Sequence, residues 1–106
     1  MFEKLLEQVK QKCNITWYDE DTEARLKKII NSAIPTLTHK LGISQTVGFD
    51  FSANGAENTL FLNYCFYDWN HALNEFDDNY ANEIAQIQQK YQVQYYLNNE
   101  DDTDEE

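Results

Sequence analysis

The fold is decided by residues 26–42, which read LKKIINSAIPTLTHKLG. The apolar residues of this stretch recur at helical spacing and form one stripe along about four turns. Pro35 lies inside the stripe, and because proline removes a backbone donor and crowds the preceding turn, we expect a kinked helix rather than a helix end. Gly42 follows the last apolar residue, where a C-terminal cap glycine belongs. The stripe consists of Leu26, Ile29, Ile30, Ala33, Ile34, Leu37 and Leu41.

Three other segments have helical periodicity. Residues 2–13 place their apolar side chains on one face, and Asp19 or Asp21 is positioned to cap the second helix. Residues 56–74 are apolar on most sides, which is typical of a central helix or of one that partner subunits cover. A fourth helix is predicted to begin near residues 77–79, with an apolar repeat that ends at Tyr91.

These segments predict an all-α fold, a small bundle of about four helices with a kinked second helix. Within residues 43–56, apolar residues alternate from Val47 to Phe51, which indicates at most a short extended segment. We expect one helical domain over residues 1–97. Residues 98–106 are predicted to be a flexible acidic tail, disordered when free, because their charges repel one another.

Charge is unevenly distributed along the chain. Eight basic and nineteen acidic residues give a net charge of −11 at pH 7. The first forty residues carry seven bases and six acids, whereas residues 41–106 carry only Lys90 against thirteen acids. Because phosphate binding requires Lys and Arg, this balance argues against nucleic-acid and anionic-membrane binding. We also expect no membrane span and no signal peptide, since no apolar run is long enough.

No arrangement of residues points to catalysis, a metal or a cofactor. The cysteines lack CxxC spacing and are expected to be reduced thiols, and no nucleophile motif accompanies either histidine. Asp19, Glu20 and Asp21 resemble the start of a calcium loop, but Ala24 and Ile30 stand where that loop needs glycine and glutamate. We therefore expect a non-enzyme without catalytic, metal or cofactor residues. The dispersed cysteines and histidines are Cys13, Cys65, His39 and His71.

Two groups of residues are candidates for protein contacts. On the third helix Tyr64 and Tyr67 have amphipathic rings that suit half-exposed interfaces, and Asn70 and His71 follow them. The segment 92–97 mixes apolar, aromatic and glutamine residues just before the acidic tail. It either packs back on the bundle or becomes ordered on a partner, and the sequence leaves both possibilities open.

Residues 67–80, YDWNHALNEFDDNY, resemble the hallmark region of head-tail connector (adaptor) proteins of long-tailed bacteriophages. In that family an aromatic helix runs into an Asn-x-Ala-Leu-x-Glu-Phe block, followed by an Asn-aromatic pair that opens the next helix. The N-terminal helix, the acidic turn and the long second helix are also similar to that family, so the resemblance extends over residues 1–91. The matching residues are Asn70, Ala72, Leu73, Glu75, Phe76, Asn79 and Tyr80.

The resemblance implies a structural virion protein of a phage or prophage, assembled in the bacterial cytoplasm. Subunits of this family form a homo-oligomeric ring between the portal protein ring and the next head-completion or tail protein, and DNA passes through the channel without specific binding. A free subunit is monomeric or already oligomeric. The C-terminal segment docks on the portal, which assigns that role here to Tyr91, Val93, Tyr95, Tyr96 and Leu97. The candidates for ring contacts are Tyr64, Tyr67, Asn70 and His71.

Two other classes of function compete with the connector. An acidic DNA-mimic inhibitor would present carboxylates over its folded faces at phosphate-like spacing, whereas six of the thirteen acids after residue 40 lie in the last seven positions. A small enzyme would need a pocket with perturbed titratable groups, and the sequence offers no such set. We therefore expect the connector, with the DNA mimic as the alternative.

Overall fold

The computed structural model describes residues 1–43 and 49–104. For Tyr96 and residues 98–104 it describes the backbone only. Val47, predicted to be extended, lies outside the described residues. The prediction of an all-α fold is confirmed for the described ranges, in which no strand occurs. A 3₁₀ turn, Leu73–Glu75, precedes the fourth helix. The helices are α1 Phe2–Lys12, α2 Glu20–Lys40, α3 Ala56–Trp69, α4 Phe76–Asn79 and α5 Ala81–Asp104.

Helix α2 begins as its sequence predicts. Asp19 is the N-cap residue, and its Oδ2 accepts a hydrogen bond from the Thr22 amide at 3.0 Å. Acids in the first turn, Glu20, Asp21 and Glu23, suit the positive end of the helix dipole. The helix continues through Pro35 to Lys40, so proline does not end it, as expected. The kink itself stays a prediction.

Three helices end with the same backbone arrangement, in which one residue adopts a left-handed conformation. In α2 the predicted cap glycine, Gly42, donates to the His39 carbonyl at 3.2 Å, and Ile43 donates to the Thr38 carbonyl at 3.0 Å. This pair of bonds is the Schellman motif, which satisfies carbonyls that the helix leaves without partners. The corresponding pairs end α1 and α3. The left-handed residues are Asn14 (φ 58°), Gly42 (φ 73°) and His71 (φ 58°).

The third helix is shorter than predicted, and the fourth is divided. Helix α3 ends at Trp69, not near Asn74, because His71 is left-handed and the Asn70 Nδ2 donates to the Phe66 carbonyl at 2.8 Å. The chain then forms the 3₁₀ turn, α4 and α5, so the described ranges contain five helices instead of about four. Helices α4 and α5 are separated only at Tyr80, whose amide still bonds to the Phe76 carbonyl at 3.0 Å.

The core lies among α1, α2 and α3 and extends to the first half of α5. The apolar stripe of α2 is buried except Ile34, which packs partly exposed against the core. Helix α1 contributes two fully buried residues, and the segment before α3 contributes Phe51. The largest fully buried side chains are Phe51, Phe61, Phe76, Leu5, Leu26, Ile30, Leu37, Leu41 and Val9.

The molecule is elongated because α5 extends beyond this core. Its principal extents are 58 × 27 × 19 Å, and its radius of gyration of 15.9 Å exceeds the roughly 13 Å typical of this length. Helix α5 has 24 residues, a length of about 36 Å. Its backbone is helical to Asp104, whereas the sequence predicts a disordered tail from residue 98, and disorder in solution stays a prediction. No helix of the described part is long and apolar enough to cross a membrane.

Candidate interaction surfaces

A buried carboxylate fastens the middle of α5 to the start of α3. Glu57 is only 8% exposed, and its Oε2 accepts hydrogen bonds from the Lys90 Nζ and the Tyr91 hydroxyl, both at 2.5 Å. The Tyr91 ring also meets the Phe49 ring edge-on, with centroids 6.4 Å apart. Two consecutive residues of α5 thus hold one acid of α3. Tyr91, predicted from the sequence as a docking residue, is instead half-buried at this junction.

The junction perturbs the protonation of both of its acidic groups. Burial acts to raise the pKa of Glu57, but the hydrogen bonds from Lys90 and Tyr91 outweigh burial and hold this pKa below its ordinary value. Burial, followed by the contact with Glu57, raises the pKa of Tyr91 above its ordinary value. At neutral pH the junction therefore contains a carboxylate and a protonated phenol, which is the pairing that its hydrogen bonds require.

Beyond Tyr91 the helix exposes apolar side chains. We call residues 92–104 the α5 arm. Val93 is 51% exposed and Leu97 57%, and they lie one helical turn apart on one face. Tyr95 is also exposed and lies on a different side of the helix, whereas the side chain of Tyr96 is outside the described set. Three of the five predicted docking residues are therefore accessible.

A groove between α3 and α5 adjoins the arm. It has a volume of about 370 Å³ and is lined on the α3 side by residues that include Thr59 and Asn63. Its α5 side includes Gln86 and Lys90. The same two residues line a shallower depression of about 480 Å³ that reaches Val93. The groove and the start of the arm, at Val93 and Gln94, thus form one continuous surface.

The two candidate tyrosines of α3 pack against other residues of the same subunit. Tyr64 is buried, and its ring meets the Phe76 ring edge-on at 5.1 Å between centroids. Tyr67 is half-buried between Phe76 and Tyr80, at 5.8 and 5.6 Å, and its hydroxyl accepts a hydrogen bond from the Asn79 Nδ2 at 2.9 Å. Tyr64 therefore occupies a core position rather than the half-exposed one that the sequence suggests. We leave it out of the surface discussed below.

Asn70 and His71 are exposed and join a cluster that the sequence did not reveal. The Arg25 guanidinium lies over the Trp69 ring, 4.1 Å from its centroid. Its Nη2 donates to the Trp69 carbonyl at 2.6 Å and lies 3.3 Å from the His71 Nε2. Arg25, on α2, is the single arginine of the sequence, and no other feature of the sequence pointed to its role in this cluster. The cluster joins the end of α3 to α2 and leaves polar edges at the surface.

A second exposed feature that sequence reasoning missed lies between α1 and α2. Trp17 and Tyr18 are adjacent, and both are more than half exposed. Two adjacent large aromatic residues in the short connection between the helices were the available signal. Aromatic side chains of this kind are enriched at protein interfaces. They lie just before the N-cap of α2 and add a second apolar patch to the body.

The described ranges contain no candidate metal site, and both cysteines have thiols of low reactivity. No group of three or more His, Cys, Asp or Glu residues there could hold a metal ion. Burial raises the pKa of the Cys65 thiol well above its ordinary value, and burial also raises the pKa of Cys13. Because the thiolate is the reactive form, both thiols are poor nucleophiles. The surfaces described above are suited to binding.

Comparison with known proteins does not identify these surfaces. Neither the family models nor the curated proteins nor the solved structures that we searched contain a match to this chain. The structure does give physical roles to the stretch 67–80: Asn70 and His71 end α3, Phe76 enters the core, and Asn79 bonds to Tyr67. This stretch folds α5 back along α3 and so sets the direction of the arm.

Proposed function

We propose that this protein is a structural subunit of the head-tail connector of a long-tailed bacteriophage, and that its α5 arm docks on the portal ring. The observation that carries the proposal is the arm itself, a helix that leaves the body with Val93 and Leu97 more than half exposed. Exposed apolar side chains that adjoin on one face mark interaction sites, whereas scattered ones do not. The connector assignment also draws on the resemblance of residues 67–80.

The chemistry of the arm indicates what kind of partner it fits. An exposed helix with apolar residues one turn apart binds by laying that face into an apolar groove. Six acids follow in the last seven residues, so a groove with basic residues beyond its end would complement the arm. The same acids oppose binding to DNA, because phosphate contacts need Lys and Arg. A protein ring that surrounds a DNA channel meets both conditions.

A ring also needs two further, different faces on each subunit. Head-to-tail contacts join unlike surfaces, and a closed ring forms when the rotation between subunits closes. The Arg25–Trp69–His71 cluster, with the exposed Asn70 between Trp69 and His71 in the chain, is our candidate for one of these faces. The exposed pair Trp17 and Tyr18 is available for a neighbouring subunit or for the next head-completion or tail protein.

Co-elution with the portal protein encoded beside this chain tests the proposal. Three versions are compared by size-exclusion chromatography with light scattering: the full chain, a chain ending at Leu97 and a chain ending at Gln92. The last retains the Glu57–Lys90–Tyr91 junction, so circular dichroism should report a folded body. We expect stoichiometric binding by the first two and none by the third, because Val93 and Leu97 are lost only in the third.

Two outcomes would overturn the proposal. If none of the folded versions binds the portal, the connector role is wrong, and competition with DNA for a basic enzyme then tests the DNA-mimic alternative. If all three versions bind equally, docking by the arm is wrong, because the interface then lies on the body. The competition is repeated after deletion of residues 98–106, which hold six of the nineteen acids, and a DNA mimic that uses its folded faces should still compete.

A further inference from the structure

The exposed side of α5 has a repeat of its own, beside the repeat of Ile84, Ile87 and Tyr91 that packs on the body. Positions alternate in steps of three and four residues, which is the spacing of a coiled-coil seam. On an ideal helix this stripe lies roughly 120° from the side formed by Ile84, Ile87 and Tyr91, which contacts the body. We call it the exposed stripe. The name refers to its described members, all of which are exposed: Glu83, Gln86, Lys90, Val93 and Leu97. In sequence the same spacing continues to positions 100 and 104, which are acids.

The charges along the exposed stripe complement those of a second copy only when the two helices run antiparallel. Val93 and Leu97 are its apolar centre, with Lys90 before them and acids at positions 100 and 104 after them. If two copies run antiparallel with Val93 opposite Leu97, position 100 of each lies opposite Lys90 of the other. If they run parallel in register, acid faces acid and lysine faces lysine. Charge complementarity therefore selects the antiparallel arrangement.

We propose that the α5 arms of two copies of this chain pair antiparallel through the exposed stripe and form a two-fold symmetric dimer of the free protein. A two-fold contact uses the same patch on both copies, as the self-complementary order requires. The contact buries Val93 and Leu97 of both copies, which are the most apolar members of the stripe. The inference concerns the protein without its partners and does not rest on the connector role.

The surface beside the stripe has room for a second helix. The depression of about 480 Å³ is lined by Gln86, Lys90 and Val93, among others, and continues into the α3–α5 groove. Residues 97–104 of the second copy would lie along this surface in the antiparallel register. The Lys90 side chain is 46% exposed although it binds Glu57. An ammonium group has three N–H donors, so Lys90 can serve an acid from the second copy as well.

Pairing has a consequence for the proposed connector role, and this consequence alone rests on that role. Val93 and Leu97 are the residues proposed to dock on the portal, so a paired arm cannot dock. The dimer would then keep the free protein from assembling. Assembly would require the two arms to separate so that each can bind the portal. Added portal would convert dimers into portal-bound subunits, and the free dimer would compete with binding.

The test uses the full chain alone, by sedimentation and light scattering over a concentration series. We expect the molar mass to rise from the 12.5 kDa of one chain toward twice that value. Leu97→Asp places a charge in the centre of the contact on both copies and should raise the dissociation constant at least about 100-fold. Gln92→Asp adds the same charge to the same helix outside the stripe and should leave the constant within about threefold of its original value.

A further variant tests the direction of pairing. Glu100→Lys places a lysine opposite Lys90 in the antiparallel register and should weaken the dimer several-fold. In a parallel register it would exchange one like-charge pair for another and change little. A mass of 12.5 kDa at all concentrations overturns the inference. Equal effects of Leu97→Asp and Gln92→Asp, or no effect of Glu100→Lys, overturn it too. Failure to bind a portal has no bearing on any of these outcomes.

Discussion

Glu57 attaches α5 to α3 through polar contacts, in addition to the burial of Ile84 and Ile87. It is buried on α3 and holds Lys90 and Tyr91 of α5 through two hydrogen bonds of 2.5 Å. Burial of a carboxylate costs free energy because the group loses its hydration. Without these two donors, no hydrogen bond would offset that desolvation penalty. The junction therefore couples burial of one charge to the attachment of a whole helix, and its loss should be seen in stability.

The protonation of Glu57 predicts how stability depends on pH. Its pKa in the folded protein lies below the ordinary value of 4.5, so its contribution is present above that value and is lost as pH falls through the folded pKa. The wild-type chain should lose stability on acidification below about pH 4.5, and Glu57→Gln should lose less over the same range. Urea denaturation at several pH values measures both. An equal loss in the two proteins would show that other carboxylates govern the acid response.

Removal of the Tyr91 hydroxyl tests one of the two hydrogen bonds to Glu57 separately. Tyr91→Phe keeps the ring contact with Phe49 but deletes a hydrogen bond to a charged group. We expect a loss of about 1–3 kcal/mol in the free energy of unfolding. Tyr18→Phe makes the same change on an exposed tyrosine and should alter stability by less than about 0.5 kcal/mol. Similar values for the two variants, from urea denaturation, would contradict the assigned role of Tyr91.

His71 predicts an unusual order of substitutions because its φ is +58°. A left-handed conformation costs roughly 1–2 kcal/mol for residues with a Cβ atom, and more for β-branched ones, but little for glycine. His71→Gly should therefore be more stable than His71→Val by about 1–2 kcal/mol. His39, inside α2, should show the reverse order, because glycine is the poorer residue in a helix. Thermal unfolding of the four variants checks this, and the same order at both positions would contradict it.

At the scale of the elements, α2 is the helix that its sequence predicts best. Its stripe, its Asp19 cap and its Gly42 terminus are all local signals, and each is confirmed. The end of α3 was not predictable in the same way. The apolar pattern continues in phase from Trp69 to Phe76, so periodicity alone extends the helix. Phe76 reaches the core through a turn instead, which depends on His71 adopting a conformation that favours glycine.

Pro35 gives a prediction about α2 as a unit. The residue is exposed and lies inside the helix, where proline lacks the donor that the Asn31 carbonyl would use. Pro35→Ala should raise the free energy of unfolding by about 1–3 kcal/mol, since alanine restores the donor and is the best helix former. Urea denaturation measures the change. Unchanged or reduced stability would mean that the surrounding structure already compensates for the proline.

The candidate surfaces were predictable only where they depend on one element. The buried repeat of α5 stops at Tyr91 in the sequence, so the local pattern indicates where contact with the body ends. The sequence left open whether residues 92–97 pack back on the bundle, and the structure exposes Val93 and Leu97. The position of Tyr64 does not, because it depends on Phe76 returning from another part of the chain. The Arg25–Trp69–His71 cluster likewise joins residues 44 and 46 positions apart. Such contacts come from tertiary packing, which no single segment encodes.

For the whole molecule, shape and charge act together. A body formed by α1, α2, α3 and the first half of α5 carries a helical arm that makes the molecule 58 Å long. The excess of acids over bases lies entirely after residue 40, and six acids lie beyond the apolar residues of the arm. This arrangement offers an apolar contact and, further out, an electrostatic one. It is suited to a protein partner with an apolar groove, and it opposes attachment to DNA.

The most direct test of the account compares Leu97→Asp with Gln92→Asp in binding to the portal ring. Both variants add one negative charge to the arm, but only Leu97→Asp also removes an apolar side chain from the face that is proposed to dock. The account predicts that Leu97→Asp weakens binding at least about tenfold, while Gln92→Asp binds nearly as the original chain does. Equal affinity of the two folded variants and the unaltered chain would contradict the claim that the apolar face of the α5 arm is the docking surface.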